Sequence, residues 1–215
     1  MTGDTDQDRG WRGSPDLWLN AAYEMLIDKG VDGVKIMPLA TALNLSRTSF
    51  YWFFKDRKQL LSALLDRWEA TTTAPLIAAT DAYAATKSEA MLNVLATFIG
   101  TDGLDARLEY AVRNWAQQDA DTMARVQAAD AARLGALRAL LERWGHTPDD
   151  ADVRARTIYL VQIGYISMQS DEDISLRISR VPSYVEIYTD TRPTDGEMAR
   201  FCAQIGAGVA VLKRA

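Results

Sequence analysis

The sequence predicts an all-α protein, and three observations carry that expectation. Apolar residues recur at i, i+3, i+4 and i+7 along most of the chain, the spacing of a helix that buries one face. No convincing run alternates apolar and polar residues as a half-buried strand would. Gly100, Gly103, Gly145, Pro148, Pro182 and Pro193 fall in or near the gaps between the periodic stretches, where helices stop.

Taken in order, Ile36, Leu39, Ala40 and Leu43 mark one short helix. Asn44 follows, a residue that tolerates a left-handed backbone and so lets the chain reverse without a glycine. Ser46 stands where an N-cap belongs, and Phe50 and Phe54 share a face four residues apart, so a second helix starts at about Ser46. From Arg57, the residues Leu60, Leu61, Leu64, Leu65 and Trp68 sustain a helix that Thr71 to Pro75 interrupts or kinks. Further helices are expected over 88–99, 104–118, 121–144, 148–168 and 195–213, with 174–189 broken into two short helices by Pro182.

The pair around Asn44 is the informative part. Arg47, Thr48, Ser49, Tyr51 and Trp52 project away from Phe50 and Phe54, mixing hydrogen-bond donors with flat side chains. In a helix-turn-helix, the first residues of the second helix meet base edges in the major groove. Two helices joined by a tight turn also occur throughout all-α proteins, and Tyr51 to Phe54 would serve equally as core aromatics. Charge separates the two readings. Between Gly33 and Leu60 stand five bases (Lys35, Arg47, Lys55, Arg57, Lys58) against one acid (Asp56), net +4 in a chain of net −5, so the remainder carries −9. Positive charge gathered on one short segment of an acidic protein is the footprint of a phosphate-binding face.

Residues 17 to 65 resemble the amino-terminal DNA-binding domain of the TetR family of transcriptional regulators. The resemblance rests on Trp18-Leu19-Asn20-Ala21-Ala22-Tyr23-Glu24-Met25-Leu26, on Gly30-Val31-Asp32-Gly33-Val34, on the helix from Ile36 to Leu43, on Ser46-Arg47-Thr48-Ser49-Phe50-Tyr51-Trp52-Phe53-Phe54, and on Lys55-Asp56-Arg57-Lys58-Gln59-Leu60-Leu61. Three positions depart from the family pattern. Lys35 replaces the usual Ser or Thr N-cap, a loss of up to about 1 kcal/mol, and is assigned instead to phosphate. Pro38 sits in a first turn whose amides lack helical partners anyway. Phe53 replaces a polar residue, leaving its phosphate contact to Trp52 or Lys55.

By chemistry, Arg47, Thr48 and Ser49 are the candidates for base edges, since Arg bonds guanine bidentately and hydroxyls pair with several bases. Ser46, Tyr51, Lys55 and Arg57 are the candidates for phosphates, and Trp52 for a thymine methyl or sugar. Phe50, Phe54, Leu39, Leu43 and Leu60 read as core. The expected organisation is a polar, disordered tail over 1–13, a three-helix helix-turn-helix domain over 14–62, and a larger helical bundle for effector binding and dimerisation over 63–215. Arg9 and Arg12 in the tail are weak candidates for a minor-groove arm.

Composition bounds the rest. At 215 residues and 48% hydrophobic the chain has enough material for a real core. Cys202 and His146 are the sole residues of their kinds, which excludes an internal disulfide and a metal-ligand cluster, and both read as structural. No apolar run approaches the ~20 residues that cross a bilayer. A cytoplasmic protein without a cofactor is expected, and no nucleophile motif, phosphate-binding glycine loop or acid pair suggests catalysis.

From about Leu104 the chain resembles, more loosely, the family's carboxyl-terminal domain, through Arg113-Asn-Trp-Ala116, Asp119, Val126, Asp130, Arg133-Leu134, Leu140-Leu141, Gly145, and Ala155-Arg-x-x-Tyr159 to Gly164. The resemblance implies a homodimer with an interior pocket for a small-molecule effector that releases a double-stranded DNA operator. Tyr110, Arg113, Trp115, Tyr159, Gln162, Tyr165 and Met168 are the candidate pocket residues, combining apolar surface with a few hydrogen-bonding groups. Ordinary core is the competing reading for each. Ile158, Val161, Gly164, Met198, Phe201, Ile205, Val209 and Leu212 are the candidate dimer interface, and the alternative is that this stripe covers its own core. The overall expectation is a repressor on a palindromic operator. The alternatives are an activator, a regulator without ligand, an all-helical enzyme or carrier without DNA binding, and a scaffold that binds only protein.

Overall fold

Ser14 starts the first helix: its side chain accepts the Leu17 N–H at 3.1 Å, and Pro15 follows at a position where its missing amide costs little. The computed structural model describes residues 13–100, 104–170 and 172–206, and no strand occurs among them. The chain divides into two compact units, Met1–Arg67 and Trp68–Ala215.

In the first unit α1 spans Pro15–Lys29 and buries Trp18, Ala22 and Leu26, one residue per turn. It stops at Gly30, whose φ of 68° suits a residue without Cβ. A 3₁₀ turn at Val31–Gly33 leads into α2 (Ile36–Ala42), which Lys35 precedes without making a side-chain cap. Asn44 adopts the left-handed conformation expected of it, with φ 52°. Next come α3 (Arg47–Phe50) and α4 (Arg57–Trp68). Their common core is aromatic at its centre. Trp18 meets Phe50 edge-on with ring centroids 5.4 Å apart, and Phe50 stacks on Phe54 at 5.5 Å. Such pairs add ~0.5–1.5 kcal/mol each beyond the area they bury.

In the second unit a π turn over Glu69–Thr73 follows α4, so the expected interruption near Thr71 takes the form of one widened turn. Then come α5 (Ala74–Asp81), α6 (Lys87–Ile99), α7 (Ala106–Ala116), α8 (Ala120–Arg143), α9 (Pro148–Ser167), α10 (Ile174–Ser179), α11 (Val181–Thr189) and α12 (Asp195–Gln204). The two short helices expected over 174–189 are present; they part at Arg180, and Pro182 sits in the first turn of the second. Side-chain caps open most of these elements: Thr86, Asp105, Asp119, Thr147, Asp173 and Thr194 each accept a backbone N–H of the first turn. The long helices α8 and α9 pack along each other, while α6 packs against α11 and α12. The core they enclose includes Leu92, Val94, Leu137, Leu140, Ala155, Val185 and Cys202.

The expected dimer stripe is corrected here. Ile158, Met198, Phe201 and Ile205 are at most 5% exposed and belong to that same core, so α12 spends its apolar face inside its own unit. Val161 and Gly164 stay partly exposed on α9, and Val209 and Leu212 lie outside the described residues, as do Arg9, Arg12 and the end of the helix expected to reach 213.

Candidate nucleic-acid interface and ligand cleft

In the amino-terminal unit the recognition turn is built by one serine and one phenylalanine. The Ser46 hydroxyl accepts the Ser49 N–H at 3.2 Å, which starts α3, and Phe50 is fully buried, which anchors it. Only four residues are α-helical. Tighter turns carry the backbone on to Phe54, whose N–H reaches the Phe50 carbonyl at 3.0 Å.

With Phe50 facing inward, Arg47, Thr48, Tyr51 and Trp52 face solvent, Trp52 being 61% exposed. The Arg47 guanidinium donates to the Tyr51 hydroxyl at 3.0 Å and lies 5.7 Å from that ring's centroid, so the two side chains form a pre-arranged donor surface. Lys35 and Lys55 are exposed as well.

Three assigned residues are occupied differently. Ser49 is 8% exposed and its hydroxyl bonds that of Ser46 at 3.0 Å, so both hydroxyls are engaged in the cap, with Ser46 still exposed. The Arg57 guanidinium donates to the carbonyls of Val34 at 2.5 Å and Val31 at 2.6 Å, which ties α4 to the turn after α1. These placements shift the donor set toward Arg47, Thr48, Tyr51, Trp52 and the exposed lysines.

The carboxyl-terminal unit holds two polar constellations. One is a buried ion network. Arg133 is fully buried, and its guanidinium lies 3.0 Å from the equally buried Glu109 carboxylate while donating to Thr72 and Thr73 of the π turn at 2.8 and 2.9 Å. The Trp68 indole N–H donates to Glu109 at 2.6 Å. Arg113 bonds Glu109 and Asp130, and the Tyr159 hydroxyl donates to Asp130 at 2.6 Å. Burial disfavours the charge on Arg133, yet Glu109 beside it outweighs that and holds its pKa above the ordinary arginine value. Burial likewise pushes the Tyr159 hydroxyl up.

The other constellation is a cleft of about 220 Å³ that takes in Tyr110, Gln162 and Tyr165 of the expected pocket, together with Phe98, Arg107, Ile166 and Arg177. The remaining pocket candidates lie elsewhere. Arg113 and Tyr159 belong to the ion network, Trp115 is packed in the core at 5% exposure, and Met168 is 80% exposed. Helical spacing shows which residues share a face, but not which helices meet, so Phe98 and Arg177 were not legible as partners of Gln162. Among the described residues no three His, Cys, Asp or Glu side chains gather to hold a metal, and no helix is long and apolar enough to cross a membrane.

Among the described residues the fold is all-helical, and its head carries a capped, solvent-facing turn of the helix-turn-helix kind. A family model described as "Bacterial regulatory proteins, tetR family" matches residues 19–64. Residues 19–64 thus match the DNA-binding domain of the TetR family.

Solved structures share the fold at low identity. A transcriptional regulator of the "TerR/AcrR family" from Aquifex aeolicus VF5 superposes with TM-score 0.60 at 16% identity, over 81% of this chain and 99% of its own. A putative TetR-family regulator from Mesorhizobium loti gives TM-score 0.58 at 13% identity, over 93% and 98%. AmtR of Mycobacterium smegmatis gives 0.57 at 15%, over 95% and 99%. No curated protein matches the sequence.

Proposed function

We propose that the protein is a cytoplasmic repressor: a homodimer occupies a palindromic operator, and a small-molecule effector entering the cleft beside Gln162 lowers its affinity for DNA. The observation that carries the reading is the recognition turn, where burial of Phe50 against Trp18 leaves Arg47, Thr48, Tyr51 and Trp52 facing water. A turn this short reaches only a few base pairs, so two copies on a two-fold site supply the missing affinity and discrimination. The exposed Val153 and Leu160, seven residues apart on α9, together with the open space at Gly164, support that helix as the meeting face.

The cleft and the ion network share helices. Tyr110 and Arg113 stand one turn apart on α7, as do Gln162 and Tyr159 on α9, and the network grips the π turn that continues α4. A ligand that shifts α7 against α9 therefore acts on the residues that hold this turn. Coupling of this kind is reciprocal, so operator DNA must weaken effector binding by the same factor.

The test is a gel-shift titration with the DNA upstream of the chain's own gene, comparing wild type with Arg47→Ala and Tyr51→Ala. Specific retardation that both substitutions abolish, at unchanged thermal stability, is expected. Failure to retard any genomic fragment at low ionic strength overturns the reading.

A further inference from the structure

Arg177 is the unusual charge in the carboxyl-terminal unit. It lines the cleft on α10, it is partly buried, and its nearest partners are uncharged. One guanidinium nitrogen donates to the Gln162 side-chain oxygen at 2.7 Å, and the guanidinium carbon lies 4.5 Å from the centroid of the Tyr165 ring. Among the described residues no carboxylate lies within ion-pair distance of it, and the nearby Glu172 is engaged by Arg180. Desolvation accordingly holds its pKa below the ordinary arginine value, the reverse of Arg113 and Arg133, which face carboxylates. A guanidinium has five N–H donors in a planar fork, and the bond to Gln162 uses one nitrogen.

The walls specify what an occupant must add. Phe98 and Tyr165 supply flat apolar surface, and a recess of about 30 Å³ behind them, bounded by Leu95, Ile158, Tyr184 and Tyr188, continues it inward. The main cleft, at about 220 Å³, is smaller than the roughly 300–1,000 Å³ that drug-sized ligands occupy. We propose that the cleft binds a small organic monocarboxylate, its carboxylate bidentate on Arg177 and its apolar body against Phe98 and Tyr165. This deepens the effector reading above and rests on it. Arg107, also in the lining, is exposed, so Arg177 is the cleft's partly buried cation and balances one negative charge, while apolar walls reward an organic body over a bare inorganic anion.

The experiment is calorimetric titration of the full chain with benzoate, phenylacetate, cinnamate and hexanoate, each against its primary amide, with inorganic phosphate as the bare-anion control. At least one carboxylate is expected to bind about tenfold or more tightly than its amide, the range of a charged hydrogen bond. Arg177→Gln should remove that preference. Arg177→Lys, which keeps the charge and loses the fork, should weaken binding about tenfold. Melting curves of both variants without ligand confirm that they fold, and the comparison of acid with amide on wild type needs neither.

Absence of binding by every carboxylate, equal binding of the amides, phosphate binding as tight as any carboxylate, or full affinity in folded Arg177→Gln overturns the proposal. Gel shifts with the same compounds separate it from the parent reading. A carboxylate that binds through Arg177 without releasing DNA sinks effector control alone, whereas amides that release DNA sink the carboxylate assignment alone.

Discussion

Glu109 and Arg133 form an ion pair at 3.0 Å with neither side chain exposed to solvent. Removing one partner of such a pair strands a charge in the interior, but the two partners are not equivalent. Glu109 keeps Arg113 and the Trp68 N–H when Arg133 is lost, whereas Arg133 keeps the neutral hydroxyls of Thr72, Thr73 and Tyr159 and, as its nearest carboxylate, a distant Asp130 at 3.9 Å when Glu109 is lost. Glu109→Leu is therefore expected to cost about 3–5 kcal/mol and Arg133→Met less, with the double variant milder than the sum. Urea denaturation of the four proteins checks the order, and equal costs would contradict it.

The recognition turn separates stability from binding. Phe50→Ala should destabilise the amino-terminal unit by about 3–5 kcal/mol and abolish DNA binding with it. Arg47→Ala should abolish binding while leaving the melting curve in place, because the partner of the guanidinium among the described residues is the exposed Tyr51. Thermal melts and gel shifts on the same samples decide this, and a large stability loss in Arg47→Ala would count against it.

Lys55 and Arg57 predict opposite signatures. Lys55→Ala should weaken binding across sequences and lower the salt dependence by about one unit of slope per half-site. Arg57→Ala should instead loosen the turn that its guanidinium holds at Val31 and Val34, lowering stability with little change in slope. Binding measured across a salt series, beside melting curves, tells them apart.

Glu197 yields a pH prediction. Burial disfavours its charge, but hydrogen bonds from Thr86 and from the backbone and hydroxyl of Thr194 outweigh that and hold its pKa below the ordinary value of 4.5. A carboxyl group depressed on folding contributes stability above its unfolded pKa and loses that contribution as pH falls through the folded one. Glu197→Gln should thus lower the melting temperature at pH 7, by about 2–4 °C if the bonds are worth about 1 kcal/mol. The difference from wild type should close as the pH drops below about 4.

Much of this was legible in the chain itself. Helical spacing and the turn chemistry of Asn44 and Ser46 located the head's second and third helices, because a cap and a left-handed residue act within a few positions of themselves. Pro182, in the first turn of α11, signalled the break just before it for the same reason. Contacts between distant segments were not legible. Met198, Phe201 and Ile205 form the same stripe whether they meet a second copy or their own core, and only the packing of α12 on α6 decides between them. Ser49 and Arg57 had the right chemistry for DNA, but a neighbouring hydroxyl and two loop carbonyls claim them first.

The burial of Met198, Phe201 and Ile205 within one chain has a bearing on how the protein responds to dilution. In the dimer proposed above, a subunit that leaves its partner keeps this hydrophobic interior intact, and separation does not open that core. Assembly and folding become independent equilibria, and the unfolding midpoint should barely move with protein concentration. Scarcity of the protein would then empty a two-fold operator while every molecule remained folded and ready to return.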